Sequence, residues 1–394
     1  MPLSNVTINV GQGGIGRRPL NQDKISGLVF YNDVLPSGFT TSDRVKKVFS
    51  LEQAVALGIA EGSVAHSVEY YHISEYFRLN PQGELWIGYF AVPATTYDFT
   101  ELDTLQTAAS GEIRQIGLYA NALAYDVTQI TTIKGVLDTL EAKGVVCSVF
   151  YAADMSAITA VTGWSTVGDA RAQEAKRVTP VVGQDGAGAG KALFDSEGYS
   201  ITCLGAVLGA ISSASVNQSI GNPARFNASN GVELEVPALA NGDLTTDLTD
   251  TALGAIKDDG YQIIIKRTPK LSGTYFERTP TADLATSDFA WNELVRTVDK
   301  AVRLVDSALT PQLNSGVVIN SDGTISDESI NYFVDIAELP LDQMLADGEI
   351  SAKEVIIDPN QDVNATSTVI VTVRIIPVGT AEFITVNIGL TNAL

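Results

Sequence analysis

Between Gly111 and Ser212 the chain alternates near-continuous apolar runs with amphipathic ones, and this alternation constrains the fold more than any other feature. IRQIGLYA (113–120), VVCSVFYA (145–152) and VTPVVG (178–183) read as strands. Asp126–Lys143 reads as a helix with Val127, Ile130, Ile133, Val136, Leu137 and Leu140 on one face and Gly144 as its stop. Strands that are apolar on both sides must be covered on both faces, which a mostly parallel sheet between two helix layers provides. Ala170–Arg177 is read as helical. SITCLGAVLGAIS (200–212) is read as a buried helix, with Gly205 and Gly209 spaced for close packing.

The flanks extend this pattern. ISGLVFY (25–31), Leu85–Val92 and YQIIIKR (261–267) are strand candidates. Ser50–Ala60 is a short helix with Ser50 as its N-cap. The aromatic run SVEYYHISEYFRLN (67–80) has no assigned element, and residues 220–260 read as loops or a short β excursion. From Gly273 to Leu309 a loop gives way to one long helix. A turn, a second short helical segment and two strands then end the chain.

Composition narrows the function classes. The hydrophobic fraction is 45% and the charged fraction 18%, as in folded protein. A net charge of −21 argues against nonspecific nucleic-acid binding, which needs clustered Lys and Arg. The same charge serves solubility, or makes packed subunits repel one another at low salt. Cys147 and Cys203 sit in apolar settings and are expected as buried thiols, so a reducing cytoplasm is the expected place of synthesis. The start, MPLSNVTINV, has no signal-peptide pattern, and the longest apolar run falls far short of the roughly 20 residues that span a bilayer.

Motifs for chemistry fail on inspection. Gly11, Gly13 and Gly16 spell GxGxxG, but RRPLNQDK follows where a phosphate-binding helix should start. GQDGAGAGKA (183–192) has Asp185 at a required glycine and Ala192 where a magnesium-holding hydroxyl belongs, so a surface loop is expected. His66, Glu69 and His72 cannot converge on one metal from a strand or a helix. NSDGTISDE (320–328) and DPNQD (358–362) lack calcium-loop essentials and read as turns. No GxSxG elbow is present. The reading is therefore no enzyme, no cofactor and no metal.

Two features remain. On the helix around 291–309, Trp291, Leu294, Val295, Val298, Val302 and Val305 form an apolar face, and Arg296, Lys300 and Arg303 share a second face. That basic stripe is either a solvated helix side, with Asp299 and Asp306 as local partners, or a surface reserved for an acidic partner. At the termini, Val6, Ile8 and Val10 alternate with polar residues, as do Ile384, Val386 and Ile388. A strand at each end, one on a glycine tether, suits strand addition between chains. It equally suits closure of a sheet within one subunit.

Several segments together resemble the contractile tail sheath proteins of phages and related injection systems. They are ISGLVFY, SLEQAVALGI, YYHISEYFRLNPQGELWIGY, GAVLGAISSASVNQSIG, SGTYFERTPTADLATSDFAWNELVRTVDKAVRLV, TISDESINYF and DGEISAKEVIIDP. The resemblance implies an α/β and α+β multidomain chain. Residues 25–45 plus 270–379 would form an inner α+β sheath domain, and 46–269 an inserted outer α/β domain. Segment 1–24 would be an N-terminal arm and 380–394 a C-terminal strand. It further implies a homopolymer of stacked six-membered rings around an inner tail tube protein, capped by baseplate and tail terminator proteins, assembled in the bacterial cytoplasm for a virion tail or a phage-tail-like particle. Neither nucleic acid nor membrane insertion is involved. Contraction would need no nucleotide hydrolysis. Arg296, Lys300 and Arg303 are expected to meet the tube, and Val6, Ile8, Val10, Ile384, Val386 and Ile388 to join neighbouring sheets. The competing expectation is an α/β enzyme, or a small-ligand-binding protein, using the middle of the chain.

Overall fold

The computed structural model describes residues 22–386 and 388, apart from 160–162 and 165. Its centre is a six-stranded sheet in the order β2–β3–β1–β4–β5–β6, with β1 at Ile25–Tyr31, β2 at Val45–Val48, β3 at Glu84–Phe90, β4 at Gln115–Ala124, β5 at Ser148–Asp154 and β6 at Val178–Pro180. All neighbours run parallel except β2, which is antiparallel to β3 at one edge. Every residue of β1 is buried, because strands flank it on both sides and helices cover both faces.

Two hydrophobic clusters lie on opposite faces. On one, helices α3 (Glu101–Ala108) and α4 (Gln129–Ala142) bring Leu102, Leu105, Ile130, Ile133, Leu137 and Leu140 against the sheet. On the other lie α1 (Leu51–Ala56), α2 (Ser67–Leu79) and α6 (Leu204–Ser213), with α5 (Ala189–Glu197) at the margin. Ser50 caps α1 by accepting from the Gln53 amide, as its position suggested. Gly144 takes φ +78° just past α4. A Cβ on Gly205 would sit 2.1 Å from the His72 carbonyl oxygen, and one on Gly209 would sit 2.6 Å from that of Tyr76. The two glycines therefore set how closely α6 approaches α2.

Several expectations change. The aromatic run is helix α2, whose Val68, Tyr71, His72, Glu75 and Tyr76 recur at helical spacing and are buried. Within 220–260 a helix, α7 (Asp250–Asp258), starts at a Thr249 cap and buries Leu253 and Ile256. Residues 170–177 hold only a single tight turn at Ala170–Gln173.

The domain boundaries also move. Strand 25–31 lies in the middle of the sheet built by 46–269, so residues 25–45 are not divided from that body. Thr274–Phe276 pairs with Ile264–Lys266, and Ala282 bridges Ala175, so 270–291 belongs to the body as well. The C-terminal unit starts with α8 (Asn292–Leu309) and continues through α9 (Asp327–Ala346) to a hairpin of β11 (Ile350–Ile356) and β12 (Thr372–Pro377). Strand labels 7 to 10 belong to the short strands Gly183–Asp185, Pro237–Leu239, Ile264–Lys266 and Thr274–Phe276. The C-terminal unit has its own small core, with Ala301, Ala337, Leu341, Met344, Ile350 and Val355 at its centre. The second helical segment, expected to be short, is a helix of 20 residues.

Candidate functional site: a charged seam, two anchors and a bare hairpin

Helix α8 buries much of its polar side as well as part of its apolar stripe. Its buried residues include Asn292, Glu293, Arg296, Thr297 and Asp299 beside Val295 of the expected apolar face, while Val305 packs on the core of the C-terminal unit and Val302 is 51% exposed. The polar face packs on the α/β body, and its charges find partners there. Arg177, at the N-terminal end of β6, donates to both oxygens of Asp299 at 2.8 and 3.0 Å and to Glu141 at 2.6 Å. Bidentate geometry of this kind is the strong form of an Arg–carboxylate contact.

The basic stripe lies in the same seam. Arg296 is 6% exposed and donates to the carbonyls of Ala214 and Ser215, both at 3.3 Å. Burial pulls its guanidinium down to about 10. Lys300 contacts Asp23 at 2.8 Å and Glu349 at 2.7 Å, and Arg303 also pairs with Asp23. Neither sequence-based reading of the stripe anticipated this. It is not a solvated side, since Asp299 turns to Arg177. In this chain the three cations are engaged by its own carbonyls and carboxylates.

Asp23 thereby anchors the chain just after residue 22. Burial alone would raise its pKa, but Arg303 and Lys300 outweigh that and hold the carboxyl below the usual carboxylate range. Val6, Ile8, Val10 and the Gly11–Gly16 motif lie outside the described residues.

A second anchor lies at the other end. Glu382 contacts Lys257 of α7 and, at 3.2 Å, Arg278. Arg278 also contacts Glu293 at 2.6 Å and stacks over Trp291 at 4.1 Å from the ring centre. Burial opposes ionisation of Glu382, and the two cations reverse the balance, lowering its pKa. Beyond this anchor the chain takes up no strand among the described residues. Phe383, Ile384, Val386 and Ile388 are 87%, 80%, 71% and 90% exposed. The strand expected to carry Ile384, Val386 and Ile388 is thus absent from the described part, while these three side chains are open to solvent.

The hairpin supplies the complementary feature. β11 and β12 form a two-stranded sheet, and among the described residues neither strand has a second neighbour. Backbone amides and carbonyls on two outer edges are left available for pairing.

The rejected motifs are occupied by structural contacts. Asp185 is fully buried and its Oδ1 accepts from the amides of Ala187 and Gly188, both at 3.1 Å. Glu233 accepts from the Ala189 amide at 2.9 Å. Two carboxylates thus hold the amides that a phosphate would need, and the segment is a strand and helix start rather than a surface loop. On α2, Glu69 accepts from Asn32 at 2.7 Å, and burial pushes it up to about 7. His72 packs against Phe30 and Tyr119, and burial pulls it down to about 3. Asp358 and Asp322 each close a local turn, to Asn360 and Thr324. Cys147 and Cys203 are free and buried. Among the described residues no cluster of acidic, His or Cys groups could hold a metal, and no helix is long and apolar enough to cross a membrane.

Two solved structures share this fold. One is a chain of the anti-feeding prophage baseplate in a 6-fold symmetrised cryo-EM structure, with TM-score 0.64, 14% identity and 99% of both chains covered. The other is a chain of that baseplate in its contracted state, with TM-score 0.56, 15% identity and again 99% of both chains covered. The likeness is one of fold over the whole length. A family model described as the DUF2586 C-terminal domain matches residues 288–394, starting just ahead of α8. No curated protein matches the chain.

Proposed function

We propose that this chain is a structural subunit of a phage-tail-like contractile particle, and specifically of its sheath. It would polymerise as stacked six-membered rings around an inner tube by exchanging terminal strands, and contract without nucleotide hydrolysis. The observation that carries this reading is the pairing of a two-edged hairpin with a C-terminal segment whose Ile384, Val386 and Ile388 are exposed at a spacing of two. An extended segment with alternate apolar side chains satisfies a bare strand edge through main-chain hydrogen bonds and buries those side chains at the same time. Full-length likeness of fold to chains of anti-feeding prophage baseplates supports the particle type.

Tube contact is not assigned to Arg296, Lys300 and Arg303 in this proposal, because their charges are engaged in the seam. Another surface of the C-terminal unit would meet the tube. A second reading follows from the neighbours, both of which are baseplate structures. A sheath-like chain could serve the baseplate as a single ring instead of a polymer.

Electron microscopy of purified protein over a range of concentration and salt separates these readings. Tubes with a stacked-ring repeat are expected of a sheath and isolated rings of a baseplate component. Monomers alone at all concentrations would sink both.

A further inference from the structure

Helix α9 bears five acidic residues, Asp327, Glu328, Asp335, Glu338 and Asp342, and no Lys or Arg. Glu328, Tyr332, Asp335, Leu339 and Asp342 recur at offsets of four and three, so they form one narrow stripe. That stripe faces away from the core of its unit. Leu339 is 71% exposed and Tyr332 50%, and the three acids are exposed with them. Asp342 contacts Lys353 at 3.1 Å, whereas Glu328 and Asp335 have no ion-pair partner among the described residues. A leucine standing in water between acids on an otherwise well-packed helix is a docking feature in want of an apolar, basic counterpart.

The same chain carries such a counterpart elsewhere. A groove of about 520 Å³ has apolar walls from Leu253, Ile265, Leu271 and Phe383, with Lys257, Lys266, Arg267 and Lys270 around it. Asp250, Asp258 and Glu277 also line it, and Glu277 is bound to Arg267 and Lys257. Lys266 and Lys270 have no ion-pair partner among the described residues. Leu271 is 43% exposed and Phe383 87%. In a chain of net charge −21, two lysines left over beside exposed apolar side chains stand out.

We infer that the α9 stripe of one copy docks into the Lys266–Leu271 groove of a second copy, with Leu339 entering the groove and Asp335 facing its lysines. The two surfaces are different, so the contact is head-to-tail and propagates from copy to copy instead of closing a pair. Its charge component weakens with salt. The inference rests on the homopolymer reading above and adds to it a side-chain contact independent of strand exchange.

The test is a cross-link in the full-length chain. Both native cysteines are buried, so Leu271→Cys together with Leu339→Cys adds the accessible thiols. A short bis-maleimide applied to assembled protein should give a ladder running past the dimer, with either single variant giving none. Assemblies that form without cross-linking, or that link only as dimers or to a different protein, would overturn this contact while leaving strand exchange standing. A full chain that never assembles would defeat both readings. Charge supplies a second readout. Asp335→Lys alone and Lys270→Glu alone should each raise the concentration needed for assembly about tenfold, and the two combined in one chain should restore it. Equal loss in the combined variant would show that the two sites do not face each other.

Discussion

The carboxylate of Asp23 and the ammonium of Lys300 meet at 2.8 Å, joining the start of the described chain to the helix that opens the C-terminal unit. Arg303 contacts the same carboxylate. The residues that follow the N-terminal segment are thus fixed to the C-terminal unit and, through Arg296 and Arg177, to the α/β body. Glu382 does the corresponding work at the other terminus. Both ends of the described chain are thus held by ion pairs that are partly withdrawn from water.

Asp23→Asn should therefore cost about 1–3 kcal/mol at neutral pH, since it leaves Arg303 without its carboxylate in a half-buried setting. The Asp23 pKa is depressed in the folded state, so its contribution is present above the unfolded pKa of about 4 and is lost as the pH falls through the lower folded value. Urea melts from pH 7 down to pH 3 should show an acid loss of stability that is shallower in the variant. An identical pH slope would remove Asp23 from the account.

Glu69 gives the opposite sign. Its folded pKa is raised to about 7 by burial, so ionising it destabilises the fold increasingly as the pH rises from the unfolded value toward 7. Glu69→Gln retains an oxygen for Asn32 and should stabilise the protein by on the order of 2 kcal/mol at pH 8, with little effect at pH 4.5. Thermal melts at the two pH values decide it. Equal shifts at both would point to packing instead of charge.

Gly205→Ala should be among the most damaging single-methyl additions in the chain. The new Cβ would overlap the His72 backbone carbonyl, and backbone cannot swing aside as a side chain can. Forcing α6 away from α2 is expected to cost about 1–3 kcal/mol or more. Gly254→Ala in α7 meets nothing within 4 Å and should instead stabilise by up to about 1 kcal/mol. Denaturant midpoints of the pair check the contrast directly.

Replacing Ile384, Val386 and Ile388 together with Asp should leave the fold of the isolated chain intact, because all three side chains are exposed and substitutions at such sites stay within about 0.5 kcal/mol each. Assembly should be abolished. Unchanged tubes or rings under the microscope would show that the segment is not exchanged.

Reversing Arg296, Lys300 and Arg303 to Glu should not yield a folded subunit with an altered surface. It would place acids against Ala214 and Ser215 carbonyls, Asp23 and Glu349 in the seam. Release of the C-terminal unit from the body is expected, read as rapid proteolysis in 283–291. A protease-resistant triple variant with normal stability would return these cations to the surface.

The sequence by itself determined the covered parallel sheet. Strands such as VVCSVFYA are apolar on both faces, and the period of α4 names its buried side without reference to anything distant. It also determined the Ser50 cap and the departures from the phosphate and calcium motifs, which are read within a few residues, and it marked Gly205 and Gly209 as spaced for close packing without naming α2 as their partner. Only the tertiary structure decided that the polar side of α8 is buried too. Periodicity ranks faces by the cost of leaving water, and by that measure the Arg296–Arg303 side should stay in solvent. The polar side is buried as well because distant groups offer paired hydrogen bonds, as Arg177, Asp23, Glu349 and the 214–215 carbonyls do, and a polar face so matched no longer carries its full desolvation penalty. Those partners lie far from α8 in sequence, or across a turn whose path the chain does not spell out. For the same reason the place of strand 25–31 in the middle of the body emerged only in three dimensions.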